Sequence, residues 1–177
     1  LGKRTAFNLL GPLCNPANVK RQLIGVFADD YIKRIVMIMQ KNYSETILAV
    51  RSEDGMDELS TTSKNKVCML KNNEILEFII NPEEYNMEKG NLSDIQISTK
   101  QNAIDAFVNV LNNTSNKTMK EITILNAAGG MIVGGLCDEF KDGVELATET
   151  INNGKAFEKL KQFAKENNAQ EKLEEIK

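Results

Sequence analysis

Two short apolar runs on either side of one amphipathic helix constrain this 177-residue chain more than any other feature. Residues 22–27 (Gln-Leu-Ile-Gly-Val-Phe) and 45–50 (Glu-Thr-Ile-Leu-Ala-Val) are near-continuously apolar rather than alternating. That is the pattern of strands buried on both faces of a parallel sheet. Between them, over 31–41, Ile32, Ile35, Val36 and Met39 recur at helical spacing, and Asp29 and Asp30 stand ahead as N-cap candidates. Strand, helix and strand over about thirty residues predict a βαβ unit and hence an α/β fold. The loop after the second strand, 51–60, is where open α/β sheets take their ligands.

The remaining chain adds a hairpin and helices. Residues 66–80 alternate around Lys71-Asn-Asn-Glu74, which predicts a β-hairpin at the edge of the sheet. Asn81-Pro82-Glu83-Glu84 predicts a turn capping a short helical piece, and 86–97 is polar and loop-like. Helices are expected at 101–111, 117–140, 144–153 and 156–167, with a break in the second near Gly129-Gly130 or Gly134-Gly135 and a separator at Asp142-Gly143. The charged stretch 168–177 reads as a fraying tail on a single domain, 1–167. The expected fold is a central, mostly parallel sheet flanked by helices, with an antiparallel hairpin at its edge.

Composition removes whole classes of chemistry. The chain has no histidine, which excludes a Ser-His-Asp or Cys-His nucleophile and any histidine-containing zinc site. Cys14, Cys68 and Cys137 are widely spaced and form no C-x-x-C pair, so they read as buried, reduced thiols of a cytoplasmic protein. A net charge of −3 provides no basic field for nucleic acid, and no apolar run approaches the length of a membrane span.

Two segments carry candidate chemistry. Glu53-Asp54-Gly55-Met56-Asp57-Glu58 puts four carboxylates within six residues in the loop after the second strand. The spacing is not that of an EF-hand; it fits either a solvated acidic loop or a magnesium site, since a divalent cation relieves the repulsion of crowded carboxylates. The second segment is Leu1-Gly-Lys-Arg-Thr-Ala-Phe-Asn-Leu-Leu-Gly-Pro-Leu-Cys-Asn-Pro16. Read as a helix over 2–10 that stops at Gly11-Pro12, it sets Arg4, Phe7 and Asn8 on one face. Arg4 is then either a snorkelling surface residue or a fork for a carboxylate or phosphate. Asn126-Ala-Ala-Gly-Gly130 lacks the spacing of a phosphate loop and reads as small residues for close helix packing; Asp138-Glu139 reads as surface.

The opening string resembles the anthranilate phosphoribosyltransferase family, which carries a segment close to LG-x-RT-x-FN-x-LGPL-x-NP. Further similarity lies in Arg21-Gln-Leu-Ile-Gly-Val26, Glu53 to Ser60, Pro82-Glu-Glu-Tyr85, Asn126-Ala-Ala128 and Gly143-Val-Glu-Leu-Ala147. The chain departs from the family at Arg51-Ser52, where histidine and glycine are common, and at Gly129-Gly130, where alanine is. The resemblance implies a nucleoside phosphorylase/phosphoribosyltransferase-like catalytic domain that transfers phosphoribosyl from phosphoribosyl pyrophosphate to anthranilate in tryptophan biosynthesis. It assigns the anthranilate carboxylate to Arg4, with Asn8 beside it, and Mg2+ to Asp57 and Glu58, with Gly55 allowing the turn and Glu53 and Asp54 left to solvent or to support. It implies a homodimer for the whole protein, no nucleic-acid or membrane partner, and leaves open a fused or associated glutamine amidotransferase.

A start at Leu1 inside packed structure, and no glycine-rich phosphate cradle in the sequence, imply the C-terminal part of such a domain, inactive by itself. Two other functions remain at this point: a pyrimidine-nucleoside phosphorylase of the same architecture, and a non-catalytic relative that binds nucleic acid.

Overall fold

The structure, a computed structural model, describes residues 7–175. Strands β1 (Arg21–Gly25) and β2 (Thr46–Ser52) pair in parallel, joined by helix α2 (Asp29–Lys41), so the expected βαβ unit is present. Strands β3 (Asn65–Lys71) and β4 (Glu74–Ile80) add antiparallel, giving a mixed four-stranded sheet in the order β1-β2-β3-β4 with the hairpin at one edge. The hairpin closes through Asn72 and Asn73, both at positive φ (51° and 64°), a conformation asparagine tolerates well.

Strand β2 is buried on both faces, and its alternation splits the core. Ile47 and Ala49 join Ile32, Ile35, Val36 and Met39 of α2, the four positions that the helical spacing selects. Leu48 and Val50 point to the opposite layer, formed by α4 (Lys117–Gly134) and α5 (Phe140–Asn152). Small residues set the depth of that layer: a β-carbon on Gly143 would stand 3.0 Å from Ala128 Cβ, and one on Gly129 would stand 3.2 Å from Leu48 Cδ2. The close packing expected of the Asn126–Gly130 stretch is therefore present.

The other elements are α1 (Phe7–Leu13), α3 (Lys100–Leu111), α6 (Lys155–Glu166), α7 (Gln170–Glu174) and two 3-10 turns at Pro82–Tyr85 and Leu92–Asp94. Several expectations change. Gly11 and Pro12 do not stop α1; both lie in its last turn, which closes through Cys14 N–H to Leu10 O at 2.8 Å. The N-cap of α2 is Ala28, with Asp29 and Asp30 in the first turn, where their charge complements the helix dipole. The break expected near Gly134-Gly135 is present, since α4 ends at Gly134 with Gly135 left-handed at its cap (φ 76°), but Asp142-Gly143 lies inside α5 instead of separating helices. Asp138 and Glu139 are exposed, as expected, with Asp138 also paired to Lys71 at 2.6 Å, whereas Cys14 is exposed where a buried thiol was expected. In the charged tail, 170–174 is helical and buries Leu173.

Candidate functional site

The parallel pairing of β1 and β2 brings their carboxyl ends side by side, Gly25 opposite Val50, and the acidic loop leaves from there. The loop turns at once: Ser52 N–H donates to Met56 O at 3.0 Å and Gly55 takes φ 100°, a conformation open to glycine. It then folds back across the end of β1. A β-carbon on Gly25 would lie 1.7 Å from the Asp57 carbonyl oxygen, so only glycine accommodates the crossing.

Asp54 anchors the loop from inside. Its carboxylate accepts hydrogen bonds from the hydroxyls of Ser52, Thr62 and Ser60 (2.6 Å for Ser60) and from Met56 N–H at 3.1 Å. Burial disfavours its charge, but the hydroxyls of Ser52, Ser60 and Thr62 and the Met56 amide outweigh that and hold the carboxyl at about 2, below its ordinary 3.8. Two amide side chains grip the loop further on. Asn126 of α4 accepts from Leu59 N–H at 3.0 Å and donates to Leu59 O at 2.6 Å. Asn65 of β3 accepts from Ser60 N–H at 2.6 Å and donates to Ser60 O at 2.9 Å. Arg51 ties the loop to the neighbouring β1–α2 turn: it donates to Phe27 O at 2.6 Å, Gly55 O at 3.3 Å and Asp29 Oδ1 at 3.0 Å. The Lys66 hydrogen bond, against slight desolvation and with help from Arg51, holds Asp29 below its ordinary range.

Between these fixed points Asp57 and Glu58 are both exposed. Glu58 also lines an apolar groove of about 380 Å³ between α3 and α4, together with Ile97, Phe107, Val110 and Ile122. Among the described residues no group of three His, Cys, Asp or Glu could enclose a metal ion. A pair of adjacent carboxylates open to solvent fits magnesium, which keeps several waters and takes substrate phosphate oxygens. It does not fit a dedicated protein cage.

Of the residues singled out in the sequence, Asp57 and Glu58 are consecutive and both exposed on one hydrogen-bonded loop. Arg4 lies outside the described residues, and Asn8 lies in α1 with its side chain outside them as well. The last turn of α1 borders Gln22 and Met39 at the amino end of the sheet, away from the acidic loop. The described residues thus do not join the two halves of the expected site. The supporting residues Gly25, Asn65 and Asn126 were not legible as such. A glycine inside an apolar strand is a signal of close backbone approach, and it stood at position 25. Asparagine at 65 and 126 carries no such local signal.

The acidic loop thus stands at the carboxyl ends of a parallel strand pair, the place where open α/β sheets take their ligands. The chain belongs to the glycosyl transferase family through its a/b domain, whose family model matches residues 1–157. It is 52% identical over 176 residues to an anthranilate phosphoribosyltransferase of Nitrosopumilus maritimus (strain SCM1), covering 99% of this chain and 51% of that one. The crystal structure of anthranilate phosphoribosyltransferase from Thermus thermophilus superposes with a TM-score of 0.81 at 26% identity, over 92% of this chain and 47% of that one. The Saccharomyces cerevisiae enzyme in complex with phosphoribosyl pyrophosphate and magnesium superposes at 0.78 and 26% identity, with the same coverage. The chain spans about half the length of the curated relatives it matches. Among the described residues, no helix is long and apolar enough to cross a membrane.

Proposed function

We propose that this chain serves the transfer of phosphoribosyl from phosphoribosyl pyrophosphate to anthranilate, and that Asp57 and Glu58 hold the magnesium ion of that reaction. The observation that carries the reading is the exposed Asp57–Glu58 pair on a loop locked by Gly25, Asp54, Asn65 and Asn126. Likeness to transferases of that name, one of them bound to phosphoribosyl pyrophosphate and magnesium, supports it.

In the reaction the anthranilate nitrogen bonds to the ribose carbon as the carbon–oxygen bond to pyrophosphate breaks, and the nitrogen gives up a proton. Asp57 and Glu58 would hold Mg2+, whose positive charge would supply stabilisation of the departing pyrophosphate. The chain's own part is to present both carboxylates without reorganising, which is worth most when the donors are already aimed. Arg4 would orient anthranilate, because a planar guanidinium gives a carboxylate two parallel donors. Asn8, four residues on in sequence, would sit beside the same ligand. An aromatic amine is unprotonated at neutral pH, so no strong base is required.

The same reading takes the whole protein as a cytoplasmic homodimer with no nucleic-acid partner, and leaves open a fused or associated glutamine amidotransferase. Three unpaired cysteines and a net charge of −3 agree with it.

The test is a chimaera in which residues 1–157 replace the matching segment of the Nitrosopumilus relative. With phosphoribosyl pyrophosphate and Mg2+ it should consume anthranilate, followed by loss of anthranilate fluorescence, and Arg4→Ala or Asp57→Asn should slow this at least a hundredfold, an order of magnitude expected for lost transition-state contacts. A folded chimaera that instead cleaves thymidine with phosphate, or that shows only salt-dependent binding of single-stranded DNA, would overturn the proposal.

A further inference from the structure

Asn126 belongs to a motif conspicuous in the sequence, yet the proposed chemistry gives it no contact with substrate. Its side chain leaves α4 and engages both backbone groups of Leu59, accepting from the N–H at 3.0 Å and donating to the carbonyl at 2.6 Å. It also donates to Ile122 O at 2.8 Å, one turn back on its own helix. A carboxamide offers donor and acceptor together, which neither a carboxylate nor an ammonium does.

The position of this grip matters. The Leu59 N–H belongs to the peptide plane that follows Glu58, so Asn126 fixes that plane. The plane that precedes Glu58 contains the Asp57 carbonyl, which is packed onto Gly25. Both peptide planes flanking the Glu58 Cα are thus held, one from α4 and the other from β1. Leu59 itself is fully buried in the core and secures the grip from below.

We propose that Asn126 is a positioning residue for the metal site: acting through the Leu59 backbone, it sets the direction in which Glu58 presents its carboxylate to the cation. The inference rests on the reading of Asp57 and Glu58 as the metal-holding pair.

The test uses Mn2+ as the probe, titrated into the 177-residue protein and followed by electron paramagnetic resonance of the free ion. Asn126→Ala should weaken Mn2+ binding about tenfold, the usual scale for residues that support a metal ligand. Far-UV circular dichroism and a urea midpoint taken without Mn2+ should show the variant folded under the titration conditions, which separates weakened binding from loss of the fold. Asn126→Gln keeps donor and acceptor but reaches one methylene further; it should retain the fold and still weaken binding. Gly130→Ala, on the exposed side of the same helix with open space at its β-carbon, should leave binding unchanged. Wild-type affinity in folded Asn126 variants would overturn the positioning role. If Mn2+ binds no more weakly to Asp57→Asn and Glu58→Gln, the metal reading itself fails, whatever the Asn126 variants do.

Discussion

The Asp57 carbonyl oxygen lies 1.7 Å from the point where a β-carbon on Gly25 would be, and the carbonyl carbon lies 2.8 Å from it. Strand β1 and the acidic loop are therefore in backbone-to-backbone contact, and the loop rests on the strand. Gly25→Ala must lift the loop or shift the strand. Overpacking of this kind costs about 1–3 kcal/mol. Urea unfolding should register that loss, and Mn2+ titration should show weakened binding in the same variant. Unchanged values in both would mean that the contact yields freely.

Asp54 should govern the acid stability of the loop. Its folded value of about 2 lies below the ordinary 3.8, so the stabilisation is complete above about pH 4 and is lost as pH falls through 2. The contribution is on the order of 1–2 kcal/mol. Asp54→Asn should lose the acid-dependent part of the stability curve, and Asp54→Ala, which removes the acceptor of four hydrogen bonds, should cost about 2–3 kcal/mol at neutral pH. Thermal melts between pH 2 and 7 check both; a wild-type acid limb in Asp54→Asn would refute the assignment.

Asp57→Asn and Glu58→Gln should behave in the opposite way. Both side chains are exposed, so stability should change by no more than about 0.5 kcal/mol. Cation binding should fall while the melting curve stays in place. Were either variant to unfold readily, the carboxylate would be structural and not a ligand.

The thiols should separate by burial. Cys68 is fully buried, and its thiol is pushed up to about 11 by burial and by Glu77, with Lys33 opposing. Cys14 is exposed. In the native protein a disulfide reagent should label Cys14 quickly and leave Cys68 untouched until urea is added. Equal native rates, measured by peptide mapping, would contradict the packing of β3 against α2.

The elements nearest the site were readable because each depends on neighbours in sequence. Ile32, Ile35, Val36 and Met39 gave α2 its buried face, and Asn72-Asn73 gave the hairpin its turn, by local periodicity and local backbone preference. The failures were also local in origin. Asp29 resembled a cap, but two cations from distant strands, Arg51 and Lys66, draw its carboxylate away. Gly11-Pro12 resembled a stop signal, but α1 takes both residues into its last turns.

From sequence alone came the α/β class, the βαβ unit, the acidic loop as a candidate place for a ligand, and a resemblance carried by motifs from Leu1 to Ala147. Only the tertiary structure decided which of the four acidic residues face out. Asp54 turns inward because Ser52, Ser60 and Thr62 converge on it, and Asp57 and Glu58 turn outward because Gly25, Asn65 and Asn126 hold the backbone around them. Those partners come from three separate elements, and hydrogen bonds between groups as far apart as Leu59 and Asn126 exist only once the sheet and α4 have packed.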